Sequence, residues 1–142
     1  PPSSLVPVIT RTASGKIPLL TVHGNDYDTT DGSCIRDYVH VSDIASAHVL
    51  ALEYCARMSE TERFRIFNLG TGKGVSVLEA IAAFQKISGL ELNYSIGPRR
   101  DGDVAAIYSD TTLSERELGW VAQRDLDEMM RSAWVWEQHS AQ

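Results

Sequence analysis

The stretch Phe64-Arg65-Ile66-Phe67-Asn68-Leu69-Gly70-Thr71-Gly72-Lys73-Gly74-Val75-Ser76-Val77-Leu78-Glu79 reads as a strand, a glycine turn and a helix start in immediate succession. Residues 64–69 form an apolar run of strand length. The glycine-rich segment that follows makes a tight exit. Ser76, with Glu79 three residues on, completes a capping box in which side chain and backbone satisfy each other's free N–H groups. The spacing predicts a helix through Ser88, stopped by Gly89. A strand leading through a glycine turn into a helix is the repeating unit of an α/β fold.

The same alternation extends in both directions. Upstream, Leu5–Ala13 is a helix candidate with Pro7 in its first turn and Gly15 just past its end. Residues 19–23 read as a short strand, 24–33 as a polar loop and 36–41 as a second strand. Asp43 is placed to cap the next helix. Ile44, Ala47, Val49, Leu50 and Leu52 give that helix a broad apolar side, running to about Met58. Downstream, residues 92–96 are a strand and 107–109 a very short one. Asp110 caps a helix ending at Gly119, and Asp125 with Glu128 caps the last helix, through Trp134 and Trp136. No repeat, low-complexity tract or linker divides the chain.

Bulk properties narrow the function classes. A chain of 142 residues permits one domain that buries roughly 68–70% of its unfolded surface. Hydrophobic and charged fractions of 43% and 23% are ordinary for a globular protein. A net charge of −6 argues against a general nucleic-acid binder, which needs a basic face to displace counterions from phosphates. Cys34 and Cys55 are too few for a disulfide framework or a zinc site. With no signal peptide or membrane-length apolar run, the expected location is a reducing cytoplasm, without membrane partners.

Local motifs exclude several chemistries. Val75 stands at the sixth position from Gly70, where a dinucleotide fingerprint needs glycine, and Gly74 follows Lys73 where a P-loop needs serine or threonine. The glycines are therefore expected to serve close packing. His23, His40, His48 and His139 have no zinc-type spacing, and no Gly-x-Ser-x-Gly elbow occurs. His48 reads as a packed or solvated helix residue. Asp26, Asp28 and Asp31 lack the remaining ligands of a calcium loop and read as turn formers. Cys55 reads as a small core residue.

The most direct chemical signal is Pro98-Arg99-Arg100-Asp101-Gly102-Asp103. Adjacent guanidinium forks on a glycine-broken loop suit a phosphate ester, each charge-assisted bond contributing roughly 1.5–3 kcal/mol. The alternative is a solvated loop with one surface ion pair, worth about 0–1 kcal/mol. These residues alone do not separate the two.

Six runs, taken together, carry a family resemblance. They are Gly24-Asn25-Asp26-Tyr27-Asp28-Thr29-Thr30-Asp31-Gly32, Arg36-Asp37-Tyr38-Val39-His40-Val41-Ser42-Asp43, Asn68-Leu69-Gly70-Thr71-Gly72, Ser76-Val77-Leu78-Glu79, Pro98-Arg99-Arg100-Asp101-Gly102-Asp103 and Glu115-Arg116-Glu117-Leu118-Gly119-Trp120. In order and spacing they resemble the second half of the UDP-glucose 4-epimerases (UDP-galactose 4-epimerases), a branch of the extended short-chain dehydrogenase/reductases. The resemblance spans residues 3–138.

That resemblance implies roles for particular residues. UDP would lie between an NAD-holding Rossmann domain and a smaller carboxyl-terminal domain. Positions matching Arg36 and Arg100 contact the diphosphate, the turn through Asp101 and Gly102 belongs to the same site, and the position matching Asp103 contacts the uridine ribose. The strand matching Thr21, Val22 and His23 lies along the uracil. Ser3-Ser4-Leu5 stands where the family has Asn-Asn-Leu, so a phosphate contact there is shortened or lost. His23 replaces a usual aromatic residue, and Ile107 occupies the position gating the sugar's C2 substituent. Isoleucine is smaller than the tyrosine that would exclude N-acetyl groups, so UDP-N-acetylhexosamines join UDP-glucose and UDP-galactose as expected ligands.

The family's reaction oxidises the sugar C4 hydroxyl by hydride transfer to NAD, rotates the ketone and returns the hydride to the other face. It needs a glycine fingerprint and a Tyr-x-x-x-Lys pair. Tyr27, Tyr38, Tyr54, Tyr94 and Tyr108 are followed four residues later by Asp31, Ser42, Met58, Pro98 and Thr112. The chain is thus expected to be inactive alone, with residues 1–142 a carboxyl-terminal UDP-sugar-binding portion and NAD bound by an amino-terminal half. Its start at Pro1-Pro2, without an initiator methionine, is expected of a fragment or an incomplete gene reading. By resemblance the complete enzyme is a homodimer, and residues 36–41, the following helix and residues 64–69 complete its Rossmann sheet. A non-catalytic nucleotide-sugar-binding module, a partner subunit and a UDP-pentose 4-epimerase fragment remain alternatives.

Overall fold

Helix α1 occupies Leu5–Ala13, with the bounds the sequence predicts, and carries the fully buried Ile9 on its inner face. The computed structural model describes residues 4–59 and 64–140. These form two units, each assembled from segments distant in sequence. The first comprises Arg36 and the described residues before it, Val75–Ile107, and the described residues from Asp125 onward. The second comprises Asp37–Gly74, among its described residues, and Tyr108–Arg124.

In the first unit, strand β1, Leu20–His23, pairs in parallel with a strand at Tyr94–Gly97. Its burial alternates, so Leu20 and Val22 enter the core while Thr21 and His23 stay exposed, as a two-residue period requires. Strand β2 is only Ile35–Arg36 and pairs antiparallel with β3, Val75–Ser76. Helix α3, Val77–Ser88, follows at once, with the capping box between Ser76 and Glu79 formed and Gly89 as its C-cap. The strand at Tyr94–Gly97 is β4, and the last helix, α5, runs over Leu126–His139 with Asp125 accepting from the Glu128 N–H. The core joins Ile9, Leu20, Val22, Ala80, Ile81, Phe84, Leu92, Met129 and Met130. Full burial of each large apolar side chain there contributes roughly 1.5–3 kcal/mol. Trp134 meets Phe84 edge to face at 5.6 Å.

In the second unit, helix α2, Val41–Arg57, packs against α4, Thr112–Leu118. Ala47, Leu118 and Trp120 form the core, with Val39, Leu50, Tyr54, Phe67, Leu69 and Ala122 around them. Polar groups tie the unit together. Asp37 accepts from Thr71 N and Oγ1 at 2.9 and 2.6 Å and from Ser109 N at 3.0 Å. Asp43 is buried and accepts from Gln123 N, Arg124 N and Arg124 Nη1 at 3.1, 2.9 and 2.6 Å.

Several expectations need correcting. The strand predicted over 36–41 ends at Arg36, because α2 already begins at Val41. The cap of α2 is His40, whose Nδ1 accepts from Ser42 N at 3.1 Å, and not Asp43, whose carboxylate is engaged by the Gln123-Arg124 backbone. Residues 64–69 are not a strand: they have no ladder partner among the described residues, and Phe64 and Ile66 are 78% and 73% exposed. The strand expected at 92–96 lies at Tyr94–Gly97, and that at 107–109 is absent, a single bridge between Ile35 and Ala106 standing in its place. Thr111, not Asp110, is the residue preceding α4, although Asp110 accepts from Thr112 N at 3.0 Å. Cys55 is exposed, not core.

The glycine turn does serve close packing. A Cβ on Gly70 would lie 2.2 Å from Asp37 Oδ2 and 2.5 Å from Ser109 Cβ, so only glycine fits.

Candidate anion site

Arg36 and Arg100, far apart in sequence, converge on one atom. Arg36 Nη2 donates to Asp103 Oδ1 at 3.1 Å and Arg100 Nη2 donates to the same oxygen at 3.0 Å. The β2 strand positions Arg36, whose Nη1 also donates to the carbonyls of Ile35 and Val104 at 2.8 and 2.9 Å. Ile35 in turn receives the 105–107 segment, Ile35 N donating to Ala105 O at 2.8 Å and Ile107 N to Ile35 O at 3.1 Å. The tight turn through Asp101 and Gly102 closes with Asp103 N donating to Arg100 O at 3.1 Å. The Arg100 bond, above all, holds the Asp103 carboxyl below the usual aspartate range, and the same bond raises Arg100. Two guanidiniums thus share a single carboxylate oxygen.

Arg99, beside Arg100, turns elsewhere. Its Nε donates to Asp26 Oδ1 at 2.8 Å and its guanidinium carbon lies 4.2 Å from the centre of the Tyr27 ring. Sequence reasoning missed this pairing by reading Asp26 only as a turn former. Opposite charges on the Gly24-Asn25-Asp26-Tyr27 and Pro98-Arg99 loops were the available signal. Asp31 does form a turn, accepting from Ser33 N and Oγ at 2.9 and 2.8 Å and from the Ser76 hydroxyl. His48 is solvated, as expected.

The remaining predicted site residues are distributed unevenly. Ile107 is exposed and sits beside β2. Thr21 and His23 are exposed on β1, whereas Val22 is core and has only its backbone to offer a ligand. Among the described residues, β1 has one ladder partner. Ser4 is the N-cap of α1 but makes no side-chain cap bond, Leu5 opens that helix half-buried, and Ser3 lies outside the described residues. The side-chain bonds of Arg36 and Arg100 go to Ile35, Val104 and Asp103, and none goes to Ser4, Thr21 or His23.

Among the described residues no group of three or more metal-ligating side chains gathers, and no helix is long and apolar enough to cross a membrane. The Gly70–Gly74 turn does not suit NAD, since the space beside Gly70 is filled by Asp37 and Ser109 where a pyrophosphate cradle would have to open.

The family described as GDP-mannose 4,6 dehydratase matches residues 1–133, and the chain belongs to it. Within that family it is a homologue of the UDP-glucose 4-epimerases. It is 46% identical over 141 residues to the UDP-glucose 4-epimerase of Erwinia amylovora, covering 99% of this chain and 41% of that protein. A solved UDP-glucose 4-epimerase from Stenotrophomonas maltophila, with bound NAD and formylated UDP-arabinopyranose, superposes with a TM-score of 0.92 at 47% identity, over 99% of this chain and 41% of the other. The Bifidobacterium longum enzyme, in complex with NAD+ and UDP, gives 0.91 at 41% identity over 99% and 41%. The chain thus spans about two fifths of the length of the relatives it matches.

Proposed function

We propose that this chain is the carboxyl-terminal UDP-sugar-binding portion of an NAD-dependent UDP-hexose 4-epimerase, interconverting UDP-glucose and UDP-galactose in the complete protein. The observation that carries the reading is the convergence of Arg36 and Arg100 on one oxygen of Asp103, two forked cations held where a diphosphate can replace the carboxylate. Asp103, so released, is free to accept from the ribose hydroxyls. The exposed Thr21 and His23 side chains and the backbone of Val22 supply a surface for the uracil. Asp101 and Gly102 shape the turn that presents Arg100, Ser4 and Leu5 line the phosphate side, and Ile107 stands at the sugar's C2 substituent. Bound NAD supplies the hydride acceptor, held by residues outside this chain.

The solved relatives' ligands, a UDP-pentose derivative in one and UDP in another, support a UDP-sugar as the ligand class. Calorimetry with UDP on the complete protein tests the reading. Arg100→Ala should weaken UDP by roughly ten- to a hundredfold, the loss of one or two charge-assisted bonds. Unchanged affinity would remove the clamp.

A further inference from the structure

Adjacent in sequence, Arg99 and Arg100 do different work. Arg99 donates from Nε to Asp26 Oδ1 at 2.8 Å and from Nη2 to the Asp26 carbonyl at 2.6 Å, while its planar end stacks on Tyr27 at 4.2 Å. Tyr27 is buried beneath it and fixed by its own N–H, which donates to Gly32 O at 2.9 Å. Gly24, at φ +84°, backs onto both: a Cβ there would lie 2.6 Å from Tyr27 Cε2 and 2.9 Å from Arg99 Cγ. Gly24 N also donates to Gly97 O at 3.0 Å. The loop of residues 24–27 and the loop leading to Arg100 are therefore laced by a backbone bond, an ion pair and a ring contact.

The loop needs that lacing. Residues 98–102 are all exposed, so no buried side chain of their own anchors them. Order in such a segment has to come from bonds at its ends, because few packed contacts oppose its chain entropy. The Asp103–Arg100 backbone bond closes one end and Arg99 closes the other.

We infer that Arg99 is a positioning residue: by locking the 98–103 loop onto Asp26 and Tyr27 it holds Arg100 and Asp103 in place for a diphosphate, without touching the ligand itself. This rests on the reading of Arg36, Arg100 and Asp103 as the diphosphate site. A planar fork that bonds Asp26 twice while lying on a ring is a task for arginine, since an ammonium has neither the plane nor the fork.

The test is UDP calorimetry on the complete protein with five variants: Arg99→Ala, Arg99→Lys, Asp26→Ala, Arg100→Ala and the double Arg99→Ala/Arg100→Ala. Arg99→Ala should weaken UDP by roughly three- to tenfold, the fold-change of one cation–π contact with one exposed ion pair. Arg99→Lys should lose about as much, and Asp26→Ala should weaken binding too. In the Arg100→Ala background, removing Arg99 should cost clearly less than it does in the wild type, because the part of its effect that passes through Arg100 is already gone and only the part through Asp103 remains. Tighter UDP binding by Asp26→Ala would show a freed Arg99 touching the ligand and overturn the inference. So would full retention by Arg99→Lys, or an equal loss in both backgrounds. Asp26→Ala and Arg99→Lys alter exposed groups, and their melting temperatures separate misfolding from misplacement. If Arg100→Ala weakens UDP while the Arg99 and Asp26 variants do not, this inference alone fails. If Arg100→Ala binds as wild type, the diphosphate reading fails with it.

Discussion

Asp43 shows how far a single side chain can depart from its local reading. At the start of a helix an aspartate is expected to cap, yet here the cap is His40 and the Asp43 carboxylate is buried against Gln123 and Arg124, 80 and 81 residues away. Burial alone would raise its pKa, but the bonds from Arg124 and Gln123 outweigh that and hold it below the usual value. A depressed carboxylate contributes stability that is present above its unfolded pKa and lost as pH falls through the folded one. Stability should therefore decline on acidification below the ordinary aspartate range. Asp43→Asn should cost roughly 1.5–3 kcal/mol in a urea melt, discounted because Arg124 is partly exposed, and should flatten that acid limb. At Ile107, similar affinities for UDP-glucose and UDP-N-acetylglucosamine are expected. Good binding of the first with none of the second would exclude an open C2 position. That Arg36, Arg100 and Asp103 come together was legible through the resemblance that the order and spacing of the motifs carry. The pairing of Arg99 with Asp26 was not, because opposite charges on two loops 73 residues apart permit a pairing without specifying it.

Elements written by local rules were legible, and those that need a distant partner were not. Helix α3 begins at its Ser76–Glu79 capping box and stops at Gly89, and α5 begins at its Asp125 cap, since a cap is a bond within three residues; α1 keeps its predicted bounds without a side-chain cap bond at Ser4. Ser76→Ala should remove about 0.5–2 kcal/mol and speed amide exchange in the first turn of α3. Its hydroxyl meets the Asp31 carboxylate as well as Glu79 N, so the upper half of that range is expected. Unchanged exchange would mean that the cap is redundant. Residues 64–69 have a strand's composition but no strand, because a ladder needs a second chain segment and none of the described residues supplies it. The paired β2 and β3 are two residues each, too short for periodicity to reveal.

The second unit leaves Val41, Val49, Leu52, Phe64 and Ile66 exposed. On the proposed reading this surface packs on the Rossmann sheet of the complete enzyme, and the same residues invite association when the chain is alone. The 142-residue chain by itself should therefore be marginally stable or oligomeric; a sharp monomeric peak in size exclusion with a cooperative melt would count against that placement. Whether Arg36 and Arg100 grip a diphosphate is tested most directly by a crystal structure of the complete protein with UDP. The diphosphate should lie within hydrogen-bond distance of both guanidiniums, with Asp103 displaced from at least one of them. UDP bound elsewhere, with both arginines still on Asp103, would contradict it.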